Sequence, residues 1–369
     1  MAELLKHRYS QQYIEQIAKK VKEHHEVFDE TGFCKAVFDS SWNMRELKQR
    51  MYHITACLHQ FINLDYPKAI GVLKKVAPHF DGFGAMVFPD YVETYGMDNW
   101  EVSLPALEYF TQFSSSEFSV RPFIIQDSNK MMKQMLEWSL HENEHVRRLA
   151  SEGCRPRLPW AMALPEFKKS PEAILAILEN LKQDISLYVR RSVANNLNDI
   201  AKDNPTVTLD TAARWLGKHP DTDWLVKHAS RTLLKKGDPQ ALKLFGFDHQ
   251  HSEVLQLELS TDQLAIGESF EFSFMLGING HSNLNATSGE LGKTRIEYGI
   301  DFVKANGKQS RKVFKIYEGV INSTTKTATK KHNFKQLNTR VHYPGMHRLS
   351  LIVNGVEKKS VEFELLSLA

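Results

Sequence analysis

Apolar residues recur at helical spacing from the start of the chain to about residue 247. Segments such as YIEQIAKKVKEHH, MYHITACLHQFINL and AILAILENL place them three and four positions apart, which is typical of amphipathic helices. Turn-forming stretches such as NLDYP, KDNP and KKGDPQ separate these segments. The pattern predicts an all-α region.

The pattern changes after FGFDHQHSEV. The segments VLQLELS, SFEFSFML, TRIEYGIDFV, HRLSLIVNG and KSVEFELL alternate apolar and polar residues, with Gly, Asn and Ser turns between them, as expected of short strands. We therefore predict a multidomain fold of α and β type. Residues 1–248 form an all-α repeat domain and residues 249–369 an all-β immunoglobulin-like sandwich, with the boundary inside residues 246–252.

The helical region repeats itself. HVRRLASEG, YVRRSVANN and LVKHASRTL align on Val146, Val189 and Val226, at spacings of 43 and 37 residues, and SVRPFI around Val120 is a weaker copy. Helix pairs of roughly 40 residues are typical of HEAT and armadillo solenoids, in which stacked second helices line a concave face. The sequence therefore predicts a HEAT-like solenoid.

Basic residues follow the aligned valines. They are Arg121, Arg147 and Arg148, Arg190 and Arg191, and Lys227 and His228. Because equivalent positions of stacked repeats lie side by side, these residues predict a basic stripe that a polyanion could follow. The alternative is that each basic pair only solvates its own helix.

Composition and cysteine content favour a reducing compartment. Hydrophobic residues make up 42% of the 369 positions, and no apolar run reaches the roughly 18 residues typical of a membrane span. The charged N-terminal segment lacks the features of a secretory signal. Cys34, Cys57 and Cys154 are too few and too widely spaced for a disulfide framework. We expect a cytoplasmic monomer, and the net charge of +3 is too small to identify its partner.

Known cofactor motifs are missing from the sequence. There is no phosphate-binding glycine loop and no nucleophile elbow. His24 and His25, and the HQHS segment at 249–252, lack the spacing of a metal site. We expect no metal and no nucleotide cofactor.

The stretch LASEGCRPRLPW, residues 149–160, combines a carboxylate, two arginines and a tryptophan. Gly153 is predicted to end a helix in the left-handed conformation, and Pro156 prevents its continuation. A carboxylate inside a basic stripe would repel phosphates. The presence of Glu152 therefore requires either an arginine partner or a functional role. One interpretation is a salt bridge from Glu152 to Arg155 or Arg157, with Trp160 as an ordinary core residue.

Four motifs resemble those of a known family. SSSEFSVRPF, NEHVRRLASEG, RPRLPW and VRRSVANNLNDIAKDNP are similar, in order and spacing over roughly residues 100–250, to the motifs of the bacterial AlkC DNA glycosylases, which are relatives of the AlkD enzymes. The resemblance implies a HEAT-like protein that initiates base excision repair by removing cationic N-methylated bases such as 3-methyladenine, 3-methylcytosine and 1-methyladenine. One branch of the family carries an immunoglobulin-like domain after the helices, and the β-rich tail agrees with it.

The resemblance also implies site residues. The active-site cleft would contain Glu117, Glu152, Trp160 and Asp199, with Asp203 as the alternative to Asp199. With double-stranded DNA as the partner, we expect from the basic stripe and its flanking residues that the DNA contacts of the helical domain are Arg121, Arg147, Arg148, Arg155, Arg157, Arg190, Arg191, Lys227 and Arg231.

Acidic residues in a basic groove suit this chemistry. A base methylated on a ring nitrogen can be cationic, so it leaves readily, and the enzyme must stabilise an oxocarbenium-like sugar and position water. Carboxylates can do both, and the face of Trp160 can attract the cation. The alternative function is a non-catalytic HEAT scaffold that binds damaged or branched DNA, or a protein, through the same groove.

The C-terminal region carries a second basic cluster between residues 304 and 335. It has one acid, Glu318, against eight lysines and one arginine, and it includes NSTTKTATKKHN, which we interpret as a low-complexity loop. We expect Lys312, Lys330 and Lys331 to contact the DNA backbone. The alternative is a solvated hairpin loop without a partner.

Overall fold

The structure is a computed structural model that describes residues 5–247, 252–278, 293–321, 323–336 and 341–367. The chain divides into two compact units. The first comprises Met1–Thr208 and Arg214–Ala229, and the second Leu209–Ala213 and Ser230–Ala369. The predicted order of helices followed by strands is confirmed. Within the described residues, no helix has the length and hydropathy needed to cross a membrane.

Sixteen α-helices are found in the described part of the chain. They are α1 Gln11–His24, α2 Glu30–Val37, α3 Leu47–Ile62, α4 Tyr66–Val76, α5 Val87–Tyr95, α6 Trp100–Phe110, α7 Val120–Gln126, α8 Ser128–Trp138, α9 Glu144–Gly153, α10 Pro165–Lys169, α11 Glu172–Leu181, α12 Leu187–Asp203, α13 Pro205–Trp215, α14 Pro220–Ala229, α15 Arg231–Lys236 and α16 Pro239–Leu244.

The aligned valines form the buried spine of the repeats. Val146, Val189 and Val226 are fully buried, and α12 packs against both α9 and α14. Each repeat covers the apolar face of its neighbour, which is how a solenoid forms a continuous core. The predicted HEAT-like organisation of helix pairs is therefore confirmed.

Arginines that directly follow the aligned valines connect neighbouring repeats. Arg147 binds the Asp184 carboxylate through two hydrogen bonds, of 2.6 and 3.0 Å. Arg190 donates to the Asp184 carbonyl at 2.7 Å and to the Asp221 carboxylate at 3.1 Å. Such bonds fix the inter-helix turn of one repeat against the next. Arg147 and Arg190 therefore support the solenoid instead of forming an outward stripe.

Gly153 ends α9, but for a different reason from the predicted one. It does not adopt a left-handed conformation, so the predicted left-handed cap is wrong. A Cβ at this position would lie 2.5 Å from Cγ2 of Val120 and 3.0 Å from Cε of Met135. Glycine is needed here because α9 packs too closely on α7 and α8 for any side chain.

Eight strands, all within the described residues, form two packed sheets in the second unit. They are β1 Ser252–Leu259, β2 Gln263–Ala265, β3 Ser269–Ile278, β4 Lys293–Val303, β5 Gln309–Val320, β6 Thr325–Asn333, β7 Gly345–Val353 and β8 Val356–Leu366. One sheet has the order β1-β3-β6 and the other β2-β8-β7-β4-β5. Strands β2 and β8 pair in parallel, and the other neighbours are antiparallel. Alternate residues of β3 and β4, including Phe270, Phe272 and Ile300, fill the core between the sheets.

The segment predicted as a low-complexity loop is largely a strand. Within NSTTKTATKKHN, residues 325–333 form β6, which pairs with β3 in register from Gly277↔Thr325 to Ser269↔Asn333; Asn322 lies outside the described residues. Its threonines are β-branched and favour extended backbone. As an edge strand, β6 also benefits from exposed lysines, which discourage pairing with another chain.

The sandwich unit also contains α15 and α16. The turn between these helices meets the β7–β8 hairpin at two glycines, Gly237 and Gly355, both with left-handed φ values of 71° and 78°. A Cβ on Gly237 would lie 2.6 Å from the carbonyl oxygen of Gly355. Backbone packs directly on backbone here, so the last two helices are fixed to the strands that follow them.

Candidate active site

A cleft of about 580 Å³ lies in the helical unit. Residues of α9, the first turn of α12 and three loops surround it. Its lining includes both polar and aromatic side chains: Phe83, Phe113, Ser115, Glu117, Phe118, His145, Arg148, Glu152, Arg155, Trp160 and Tyr188. Of the four predicted catalytic residues, Glu117, Glu152 and Trp160 line this cleft.

Glu152 is the central carboxylate of the cleft. It is the second-last residue of α9 and only 5% exposed. Its Oε1 accepts a 2.6 Å hydrogen bond from Arg155, and its Oε2 accepts one of 2.7 Å from Ser192. Arg148 lies 3.4 Å from Oε1. The predicted salt bridge to Arg155 exists, but it orients the carboxylate within the cleft and does not remove it from the site.

Two arginines tie the acids together. Burial alone would lower the pKa of Arg148, but the attraction of Glu152 and Glu117 raises it on balance. The pKa of Arg155 is raised in the same way by Glu152 and Asp199, against the effect of burial. Both guanidinium groups therefore stay charged and fix the carboxylates around them.

Glu117 pairs with Nη1 of Arg148, whereas Glu152 lies near its Nη2. Glu117 lies in the loop before α7, where it accepts a 2.8 Å hydrogen bond from Ser115 and pairs with Arg148. Arg148 donates to Ser115 as well, at 2.8 Å. Arg148 thus holds two cleft-lining carboxylates at once.

Trp160 is exposed and strained, not a core residue. The residue is 64% exposed, and its backbone has a left-handed φ of 65°, which is uncommon for a bulky residue. The ring makes an edge contact with Phe83, with centroids 6.2 Å apart. The interpretation of Trp160 as ordinary core is therefore wrong.

Asp199 lies behind the cleft and does not line it. It is 1% exposed, and its carboxylate accepts hydrogen bonds from Arg155 at 2.9 Å and from Lys202 at 2.8 Å. Asp203, the alternative, instead pairs with Arg157 near the surface. Between the two, only Asp199 is joined to Glu152, through the shared Arg155.

The basic residues of the helical unit divide into two groups. Arg121 is fully buried, and its guanidinium donates to the carbonyls of Gly153, Arg155 and Met162 at 2.7 to 2.9 Å. This placement corrects the prediction that Arg121 contacts DNA, because it leaves no face for a phosphate. Burial lowers the pKa of Arg121 to about 10. Like Arg147 and Arg190, Arg121 therefore stabilises the packing of the helical unit.

The remaining predicted contacts differ in exposure. Arg148 and Arg155 line the cleft, and Arg157 is partly exposed while paired with Asp203. The exposed basic residues are Arg191, Lys227, Lys312, Lys330 and Lys331, and Arg231 is half-buried. A phosphate-binding stripe can therefore include only part of the predicted set.

Several residues of the site were not predicted from the sequence. Phe83 and Tyr188 line the cleft and come from segments far apart in the chain, and Ser192 reaches Glu152 from α12. In the sequence, Ser192 stands out only as a polar residue at the position where the aligned repeat HVRRLASEG has Leu149. Lys48 also reaches the site, donating a 2.6 Å hydrogen bond to the carbonyl of Trp160 across 112 residues.

The acidic side chains of the site are held by arginines and hydroxyl groups, not grouped as metal ligands. Among the residues that the structure describes, no group of three or more His, Cys, Asp or Glu side chains could hold a metal ion. Residues 249–251 of the HQHS segment lie outside the described residues.

Comparison with known proteins identifies the family. The chain is 48% identical over 363 residues to the uncharacterized protein YhaZ of Bacillus subtilis (strain 168), covering 98% of this chain and 99% of that protein. A solved structure of Pseudomonas fluorescens alkylpurine DNA glycosylase AlkC, bound to DNA containing an abasic site analog, matches with a TM-score of 0.92 at 37% identity. That match covers 99% of this chain and 100% of the other. The chain belongs to the AlkC family.

The C-terminal region of this AlkC-family protein also matches a family model. Residues 253–367 match the model described as the C-terminal immunoglobulin-like domain of the uncharacterised protein YhaZ. The predicted immunoglobulin-like sandwich after the helices is therefore confirmed. The residues matched include all of β2 to β8 and β1 from its second residue onward.

Proposed function

We propose that this protein is a DNA glycosylase that removes cationic N-methylated bases from double-stranded DNA and so initiates base excision repair. The substrates are 3-methyladenine, 3-methylcytosine and 1-methyladenine, and the enzyme acts as a cytoplasmic monomer. One observation carries the proposal: Glu152 is held by Arg155, Arg148 and Ser192 in an aromatic-lined cleft. The family relationship supports it, because a relative over the full length is an alkylpurine DNA glycosylase.

The proposed reaction is hydrolysis of the bond between C1′ of the sugar and the base nitrogen. This bond breaks with its electron pair going to the base, which leaves as a neutral molecule. The sugar develops positive charge, and the oxygen of water forms the new bond to C1′. Glu152 stabilises the charge and accepts the proton of the water, in the way that carboxylates act in glycoside hydrolysis.

The cleft lining supports selection of cationic bases. Trp160, Phe83 and Tyr188 present aromatic rings to the cleft, and a ring face attracts a cation by roughly 0.5 to 2 kcal/mol. Glu117 adds a second carboxylate. A neutral base gains neither attraction, and its bond to the sugar is less labile, so normal bases are spared without a tightly fitting pocket.

We expect the purified protein to release methylated bases from alkylated duplex DNA in the presence of EDTA. The proposed chemistry uses only carboxylates and water, so chelation leaves the rate unchanged. Chromatography of the released bases measures the activity, with untreated DNA as the control. Tight DNA binding without any base release would instead support the non-catalytic scaffold.

We further propose that the sandwich contacts DNA phosphates through Lys330 and Lys331 of β6, together with Lys312 of β5. Replacing Lys330 and Lys331 by alanine should weaken DNA binding. It should also reduce the slope of log affinity against log salt concentration by about 0.9 for each phosphate that the variant no longer neutralises. Fluorescence anisotropy at several salt concentrations measures this slope.

The matched control for the β6 variant replaces Lys358 and Lys359 on β8, which changes the net charge of the same unit equally. Strand β8 belongs to the other sheet. An equal reduction of the slope in both double variants would indicate a general charge effect and would contradict a specific interaction of β6 with DNA.

A further inference from the structure

Building on the glycosylase function proposed above, we propose that Lys48 is a positioning residue of the site. Its hydrogen bond to the backbone of Trp160 holds the indole in the arrangement that the reaction requires, while its ammonium also contacts the ring of Phe118. Lys48 lies in the first turn of α3, well outside residues 100–250, where the sequence motifs of the site are found. The N-terminal helices would thus contribute directly to the active site.

Lys48 interacts with two residues of the cleft lining. Its Nζ donates a 2.6 Å hydrogen bond to the carbonyl oxygen of Trp160. The same Nζ lies 4.2 Å from the centre of the Phe118 ring, which is a cation–π distance. Trp160 and Phe118 both line the cleft. One ammonium group therefore connects the aromatic residues of two separate loops.

Trp160 needs such a restraint because its backbone is strained. A left-handed conformation of a bulky residue persists only where the surrounding structure enforces it. The loop after Trp160 is held by Arg121, which donates to the carbonyl of Met162 at 2.8 Å. Lys48 supplies the corresponding bond at Trp160 itself. This bond fixes the peptide group that carries the exposed indole.

Other partners do not compete strongly for the Lys48 ammonium. In the described part of the chain, Lys48 forms no salt bridge. Asp90 and Glu93 of α5 lie within reach of its charge. Burial raises the pKa of Asp90 to about 7 and raises the pKa of Glu93, although the charge of Lys48 acts to lower both. The two buried carboxyl groups are therefore less readily ionised than exposed acids, and this weakens their attraction for Lys48. The geometry leaves the Trp160 carbonyl and the Phe118 ring as the groups that Lys48 holds.

Replacing Lys48 by methionine keeps the aliphatic stem and removes the ammonium. We expect Lys48→Met to lower the single-turnover rate of base release by about 10- to 100-fold, because small displacements of groups that position a substrate cost rates of this size. Lys48→Arg, which retains a charged donor, should restore part of the rate. Lys68→Met serves as the control, because Lys68 is exposed and pairs with Asp65 three residues away.

A double-mutant cycle with Trp160→Ala separates positioning from general damage to the fold. If Lys48 acts through Trp160, the Lys48→Met change should have little further effect on the rate once the indole is gone. Multiplied effects in the double variant, or a Lys48→Met rate equal to wild type, would overturn the proposal. Thermal unfolding of each variant shows whether the helical unit remains folded.

A second readout does not depend on activity. In protein labelled with 5-fluorotryptophan, the fluorine resonance missing from Trp160→Phe identifies Trp160. We expect this resonance to shift or broaden in Lys48→Met but not in Lys68→Met. An unchanged resonance would overturn the proposal. If the wild-type protein released no base, the glycosylase function would fail, and the resonance alone would still decide whether Lys48 positions Trp160.

Discussion

Glu152→Gln should lower the single-turnover rate of base release by about 100- to 1,000-fold, the decrease typical of removing one preorganised group that stabilises charge in the transition state. Glutamine keeps the shape of Glu152. Its one carbonyl oxygen can still accept a hydrogen bond from Arg155, and its amide group can donate to the Ser192 hydroxyl. It lacks the negative charge that stabilises the sugar cation, and it is a poor proton acceptor. DNA affinity should hold or rise, because an anion has left a site that binds a polyanion.

The matched control is Glu144→Gln, an exposed glutamate in the first turn of the same helix. It changes the same charge but lies outside the cleft lining, so its rate should stay near that of wild type. Rapid-quench measurement at saturating enzyme separates the rate from affinity. Equal activity of Glu152→Gln and wild type would remove Glu152 from the proposed mechanism.

Asp199→Asn should reduce both stability and activity, and Asp203→Asn should change neither much. Asp199 is buried against Arg155, and breaking a buried ion pair typically costs about 3 to 5 kcal/mol. With Arg155 released, Glu152 is held less firmly, so the rate should fall by on the order of 100-fold. The pair of Asp203 with Arg157 is partly exposed, and such pairs are worth about 0 to 1 kcal/mol.

Thermal unfolding and single-turnover kinetics on both variants measure these effects. Because Asp199 acts through Arg155, its effect should be non-additive with that of Arg155→Met. A larger effect of Asp203→Asn than of Asp199→Asn would contradict this arrangement and favour the second of the two acids considered from the sequence.

The repeat architecture could be predicted because its signals are local. Val146, Val189 and Val226 recur at a spacing typical of helix-pair repeats, and all three are buried as that architecture requires. Alternation of apolar residues after residue 252 likewise indicates strands, since one face of each strand packs into the sandwich. Periodicity determines which face is buried, so both predictions followed from sequence alone.

The roles of individual arginines could not be predicted in the same way. Arg147 and Arg148 are adjacent and identical in type, but Arg147 joins two repeats while Arg148 faces the cleft. The two side chains point about 100° apart on a helix, and only the positions of the neighbouring turns decide which one finds Asp184. The stripe predicted from the sequence treated both as outward-facing.

Interactions between distant segments also could not be predicted from the sequence. Nothing near Trp160 in the chain indicates that Lys48, 112 residues earlier, holds its carbonyl. The strand β6 was missed because its threonines and lysines resemble a polar loop until β3 supplies the pairing partner. In both cases tertiary structure, and not local preference, determines the conformation.

Base release from defined single-lesion duplexes shows whether the protein excises cationic methylated bases. Duplexes that each contain one 3-methyladenine, 3-methylcytosine or 1-methyladenine are compared with duplexes that carry a neutral methylated base of similar size. If the carboxylates and aromatic rings of the cleft act on cationic bases, wild-type protein should release all three cationic bases and leave the neutral one in place. Release of the neutral base at a comparable rate would contradict selection of cationic bases, and release of no base at all would contradict the proposed glycosylase activity.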